Sequence, residues 1–189
     1  MTNDRTDARR HRQALLQAAS AIFLEHGITA PLDLVVTRAG VGRATLYRHF
    51  PDRVALVLAL VDQSLDALEA LAKAIPRDRT TFQILLQHLA DILAKDPSLA
   101  DFWRVIPSDN AQRICQLKRF RLMFDRAVSD AIEGGTLRGD FRSDDMLLVG
   151  GMLGAVAREP DADKRRAMAA RLVDLLVSGL QPVDAGASR

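Results

Sequence analysis

The 189-residue sequence predicts an all-α protein: a small N-terminal three-helix head containing a helix-turn-helix, followed by a larger helical body. Three observations carry this expectation. Apolar residues recur at three- and four-residue spacing along most of the chain, the period of an amphipathic helix. No stretch alternates with period two for long, and clusters of β-branched residues are scarce. Gly27, Gly40, Pro51, Pro76, Pro97, Pro107, Gly134-Gly135 and Pro160 interrupt the periodic runs where helices would end.

In order, Leu15, Ala19, Ile22 and Phe23 form one stripe of a helix that ends at Gly27, where glycine takes the left-handed conformation at no steric cost. A short helix follows Pro31, over Leu32 to Ala39, and ends at Gly40. A second runs from about Arg43 to His49 and is closed by Pro51. Asp52 can cap a long helix to about Ile75, with Leu56, Leu60, Leu68 and Leu71 among its apolar positions. After the break at Pro76 to Arg79, a periodic segment spans Thr81 to Ala94. Asp96-Pro97 ends it, and a short helix through Phe102 and Trp103 stops at Pro107. Ser108 or Asp109 can cap the next helix, which carries Ile114, Leu117, Phe120, Phe124, Val128 and Ile132 towards Gly134-Gly135. Beyond a loop through Asp140 come two final helices, about Ser143 to Arg158 and Asp161 to Leu180. The domains expected are 1–53, 54–180 with a linking helix over 52–75, and a flexible polar tail, 181–189.

Composition narrows the classes. An apolar share of 48% is ample for a core, which excludes disorder of the whole chain. One cysteine, Cys115, makes neither an internal disulfide nor a zinc ribbon, and a buried small hydrophobe is its expected role. The four histidines lack metal-ligand spacing, and no nucleophile elbow, phosphate loop or zincin pair is present. Neither an enzyme, a metal site nor a cofactor is expected. The polar first dozen residues and the lack of a long apolar run point to a soluble, cytoplasmic protein. The net charge of +2 hides an asymmetry: residues 1–53 hold eight arginines against five acids, leaving 18 basic and 19 acidic residues beyond. The positive surplus sits at the N-terminal end.

The most specific segment is Ala39-Gly40-Val41-Gly42-Arg43-Ala44-Thr45-Leu46-Tyr47-Arg48-His49-Phe50. Two short helices joined by a tight glycine turn make a helix-turn-helix. Gly40 permits the positive φ of the turn, and Val41 can plug the core between the helices. Leu46 and Phe50, four apart, point inward and leave Arg43, Ala44, Tyr47 and Arg48 on an outer face suited to the DNA major groove.

The stretch from Arg12 to Leu56 resembles the N-terminal DNA-binding domain of the TetR (tetracycline-repressor) family of bacterial transcriptional regulators. The matching residues are Leu15-Leu16 with Ala19 and Phe23, Gly27, Ala39-Gly40-Val41, Thr45 through Phe50, then Arg53 and Leu56. By this resemblance Thr45 and Tyr47 bind phosphates, and Arg53 matches a basic residue at the start of the fourth helix that can reach phosphate. Gly42, Arg43, Ala44 and Arg48 face base edges, Arg43 suiting guanine and Ala44 a thymine methyl. His49 lies near backbone phosphate. Arg5, Arg9, Arg10 and Arg12 read as a flexible basic lead-in. The chain departs from the family at Ala30-Pro31 and Val35-Val36. Pro31 is acceptable at a first helical position, but the phosphate contact of a capping hydroxyl is lost there, for which Thr29 is the available substitute.

The resemblance implies a ligand-responsive homodimeric repressor that binds a palindromic DNA operator with half-sites about 34–36 Å apart or a multiple of that. The alternative is an all-α interaction or enzyme module whose helix-turn-helix is only architectural. A small-molecule effector would sit among the helices from Thr81 to Ile132, with His88, Phe102, Trp103, Phe120, Met123 and Phe124 as candidate lining residues. Arg113, Lys118, Arg119 and Arg121 form a basic cluster that suits either an anionic effector or a solvated face. Gly150, Gly151, Gly154, Leu172 and Leu176 are candidates for a four-helix dimer interface, against packing within one subunit.

Overall fold

The computed structural model describes residues 2–182; the side chains of residues 2–5, 98, 103 and 104 lie outside that description. The helices are α1 Thr2–His26, α2 Leu32–Ala39, α3 Arg43–His49, α4 Arg53–Ala74, α5 Thr81–Lys95, α6 Ser98–Val105, α7 Ala111–Glu133, α8 Met146–Val156 and α9 Ala162–Gly179. A 3-10 turn, Ser143–Asp145, precedes α8, and no strand occurs among the described residues. None of these helices is long and apolar enough to cross a membrane.

In the head, Leu15, Ala19, Ile22 and Phe23 of α1 close over Val35 of α2, Leu46 of α3 and Phe50. Gly27 and Gly40, with φ of 80° and 64°, end α1 and α2 in the left-handed region that favours glycine. Asp52 starts α4 by accepting from the Ala55 amide at 2.7 Å. Two cores share this helix: Leu56 through Leu65 belong to the head's core, while Leu68 enters the body's. The body reaches into the head in return, since Phe102 of α6 and Ile106 are buried in the head's core. Elsewhere the body is built from α5, α7, α8 and α9 around Phe82, Phe124 and Phe141, with Phe82 edge-on to the other two rings at 6.4 and 5.6 Å.

Several boundaries differ from the sequence expectation. The basic lead-in is not flexible: Arg5, Arg9, Arg10 and Arg12 lie within α1, which begins at Thr2. Residues 2–14 contain no helix breaker, but they lack the apolar stripe that makes a helix visible to periodicity. The cap of α7 is neither Ser108 nor Asp109 but Asn110, whose side chain accepts from the Arg113 amide at 3.0 Å. The expected helix from Ser143 is a 3-10 turn followed by α8. Of the expected tail, residues 183–189 lie outside the described residues. Cys115 is exposed on α7, not buried, because the adjacent Gln116 takes the inward position.

Buried polar side chains hold the body together. Gln116 of α7 donates to the Leu58 carbonyl at 2.8 Å and to Asp62 at 2.9 Å. Arg165 of α9, almost wholly buried, donates to the carbonyls of Ala94 and Glu159, each at 2.7 Å, and thereby locks α9 onto the end of α5 and the α8–α9 turn.

Candidate nucleic-acid interface and interior cavity

The helix-turn-helix has the geometry that its residues dictate. After Gly40, the Val41 amide bonds back to the Val36 carbonyl at 3.3 Å, and its side chain packs on the head's core. Gly42 is extended, with φ −79° and ψ 154°, and leads into α3. Leu46 and Phe50 are buried, so Arg43, Ala44, Tyr47 and Arg48 are left exposed, with Thr45 half-buried beside them. The N-cap of α2 is Pro31, without a side-chain cap.

One side chain of this face is already engaged. Arg43 pairs with Asp33 of α2. His49 is half-buried, and its Nε2 has no hydrogen-bond partner among the described residues. Burial first, then the charges of Arg48, His11 and Arg12, push the His49 imidazole below its ordinary value. Those same neighbours outline a basic patch where the N-terminal half of α1 meets the end of α3, with the Arg12 guanidinium 5.3 Å from the Phe50 ring. Periodicity gave no sign of this patch, since it joins residues about 37 positions apart in the chain. Nearby, Arg38 clasps Glu25 with both guanidinium nitrogens, at 3.0 and 2.7 Å, and holds its carboxyl below the usual range.

Arg53, expected to reach phosphate, is engaged within the chain. Its guanidinium fork points inward, donating to the Ile28 and Ala30 carbonyls at 2.6 Å each, and lies 5.6 Å from the Phe23 ring. Burial lowers its pKa, opposed by Tyr47. A carbonyl pair left without partners by the α1–α2 turn competes successfully with solvent for this cation.

A cavity of about 640 Å³ opens where the end of α1 meets α4, α5, α6, α7 and α8. Its wall is mainly apolar, with Asp101, Arg113 and Arg158 as the charged residues. Of the candidate lining residues, Phe102 and Phe120 border it, whereas His88, Met123 and Phe124 do not. One helical turn separates the two cases on α7: Phe120 faces the cavity, whereas Phe124 is directed between α5 and α7 against Phe82. The Trp103 side chain lies outside the described residues.

Two members of the basic cluster of α7 are paired with acids of the same chain. Arg119 is engaged by Glu69 at 2.6 Å, Asp66 at 2.5 Å and Asp62 at 3.8 Å, all on α4, and Arg121 by Asp144 at 3.1 Å. These acids recur at helical spacing on the face of α4 turned to α7, so the cations bolt the two helices together. Arg119 holds the Glu69 carboxyl below its usual range.

Of the candidate dimer residues, Gly150, Gly154, Leu172 and Leu176 are half-buried and Gly151 is exposed. A Cβ on Gly154 would lie 3.3 Å from the Ala100 Cβ, and one on Gly150 would lie 4.0 Å from Phe120, so these glycines admit α6 and α7 of the same chain. Gly151 lines the cavity, and Leu172 and Leu176 are half-buried against the body's core. On α8 and α9 the exposed large apolar side chains are Leu147, Leu148, 68% exposed, Met152, Met168 and Leu175. These were missed because α8 is apolar on nearly every face, which leaves its hydrophobic pattern without direction.

Comparison with known proteins places this geometry among others. Residues 15–60, from Leu15 of α1 to Leu60 of α4, match the family described as bacterial regulatory proteins, tetR family. An HTH-type transcriptional regulator of Staphylococcus aureus is 26% identical over 126 residues, covering 64% of this chain and 67% of that protein. The crystal structure of a TetR transcriptional regulator from Streptomyces coelicolor superposes with a TM-score of 0.61 at 27% identity, covering 92% of this chain and 99% of that one. FadR from Bacillus subtilis, in complex with stearoyl-CoA, shares the fold with a TM-score of 0.64 at 18% identity, over 89% of this chain and 99% of that one.

Proposed function

The chain belongs to the TetR family of DNA-binding bacterial transcriptional regulators, and from that premise we propose that it is a cytoplasmic homodimeric repressor of a palindromic operator, released by an apolar effector in the interior cavity. The observation that carries this reading is the exposed Arg43–Arg48 face, held rigid by buried Val35, Leu46 and Phe50. Arg43 reads guanine once it leaves Asp33, and Ala44 meets a thymine methyl. Gly42 and Arg48 lie against base edges, while Thr45, Tyr47 and His49 face phosphate. The basic patch of Arg12 and Arg48 adds charge against the backbone.

Two-fold operators require two heads, and the exposed Leu148, Met152, Met168 and Leu175 supply an apolar face for a second copy. The cavity volume falls within the range of about 300–1,000 Å³ typical of small-molecule sites. Its mainly apolar wall favours a ligand of the same character, of which the acyl chain bound by FadR is one instance. An effector that prefers a dimer with altered head spacing weakens operator binding reciprocally. The chain's role is thus regulatory rather than catalytic.

The test is DNA selected by the full-length protein from a random duplex pool, followed by salt titration. Affinity should fall steeply with salt as phosphate neutralisation releases counterions. Arg43→Ala should relax preference at one position by about 1–3 kcal/mol, whereas Tyr47→Phe should weaken all sequences alike. Failure to retain any specific duplex at any salt concentration would overturn the reading.

A further inference from the structure

We propose that Arg53 is the positioning residue through which cavity occupancy sets the reading head, by way of Phe23 and the α1–α2 turn. The inference rests on reading the cavity as the effector site. Arg53 is the first residue of α4, and its fork spans two main-chain acceptors, the Ile28 and Ala30 carbonyls, at 2.6 Å each. It therefore joins α4 to the turn from which α2 departs at Leu32, and α2 carries α3 with it. The other side of the same segment is cavity wall: Phe23, Gly27 and Ile28 all line it. Phe23 touches both, being buried in the head's core with its ring 5.6 Å from the Arg53 guanidinium.

A ligand that presses on Phe23 or Ile28 displaces the carbonyls that Arg53 holds. A two-point fork cannot follow two shifting acceptors as a single point charge can, so the head must tilt or the clamp must open. A second contact keeps α1 from simply yielding. The Ser20 hydroxyl donates to Asp96 at 2.5 Å, tying α1 to the α5–α6 corner, where Pro97 also lines the cavity. The end of α1 is thus held on the effector side and on the α4 side, with the cavity between. The rival role for Arg53 is a phosphate contact, in which charge matters and the fork does not.

The two are separated with full-length protein carrying Cys115→Ser and Leu117→Cys, which leaves one thiol on the cavity wall. Hexyl methanethiosulfonate fills the cavity covalently: the thiolate attacks the reagent's divalent, hexyl-bearing sulfur, forming a mixed disulfide as its bond to the sulfonyl sulfur breaks and methanesulfinate leaves. Affinity for a selected duplex is measured by fluorescence anisotropy before and after labelling, over a range of salt. With Arg53 present, filling should weaken binding about tenfold or more, within the usual range of allosteric coupling. With Arg53→Gln or Arg53→Lys, unlabelled binding should be weaker with the same salt slope, and the response to filling should shrink to about twofold or less. If Arg53→Gln loses about one unit of salt slope and Arg53→Lys behaves as wild type, Arg53 is a phosphate ligand and the proposal fails. An undiminished response in both variants also overturns it, while leaving the cavity reading intact. No response even with Arg53 present removes both. Should the Arg53 variants lose their helical circular dichroism, Phe23→Leu tests the relay from the other side. It keeps the charge and should lose the response, and a full tenfold response there would refute the relay.

Discussion

At Arg43 the reading face is opposed by its own acid. In the proposed complex the pair with Asp33 must break before Arg43 binds guanine, and the Asp33 carboxylate would repel nearby phosphate. An exposed pair is worth at most about 1 kcal/mol, so Asp33→Asn should tighten operator binding by up to about fivefold at low salt. The gain should fade as salt rises, and unchanged binding at low salt would show that the pair does not compete. His49 makes a second residue-level prediction, in pH. Its folded value lies below the ordinary 6.5, so below pH 6.5 the unfolded chain takes up a proton that the folded chain declines. Stability contributed by the neutral imidazole is therefore lost as pH falls from about 7 towards 5. The carboxyls held low by their partners, Glu25, Glu69, Asp78 and Asp140, act only below their ordinary range of about 4 to 4.5, which leaves the higher window to His49. Urea midpoints measured across that window should slope for the wild type and flatten for His49→Gln.

Among the elements, α9 depends on one buried cation. Arg165→Met keeps most of the volume but strands the Ala94 and Glu159 carbonyls, at a cost of about 2–3 kcal/mol in urea unfolding. A loss below about 0.5 kcal/mol would mean that water replaces the guanidinium. Arg165 also shows where the sequence stops being legible. Periodicity reads helices by their buried stripes, so α2 and α3 emerge at their observed bounds and the outward face of α3 follows from buried Leu46 and Phe50. The cap Asp52 is legible because it is a small acid just before a periodic run. Asn110 is hidden by Ser108 and Asp109, which are equally good candidates on composition. Which carbonyls lack partners is a tertiary fact, and for that reason neither Arg165 nor the clamp of Arg53 could be read in advance. Cavity wall and core likewise use the same side chains, and only the phase of α7 against its neighbours separates Phe120 from Phe124.

For the whole molecule, the proposed pairing of two copies makes α8 the element that sets how many heads meet the DNA. One stripe of this helix, through Leu147, Gly151 and Ala155, lines the cavity. The adjacent outward positions, Leu148 and Met152, are exposed together with Met168 and Leu175 of α9. Ligand and second copy would then occupy neighbouring faces of one eleven-residue helix, so the state of the cavity is placed to bias the geometry of the pair. Leu148→Asp tests this arrangement without disturbing the fold, because a surface substitution of this kind changes subunit stability by no more than about 0.5 kcal/mol. Light scattering should then give the mass of one chain, 20.8 kDa, in place of two. Loss of the tether should also weaken binding to a two-half-site duplex by about a hundredfold while leaving binding to a single half-site unchanged, since each head's own contacts are intact. A protein that remains dimeric with Leu148→Asp would place the interface on another face, and the two-half-site affinity would then be unaffected.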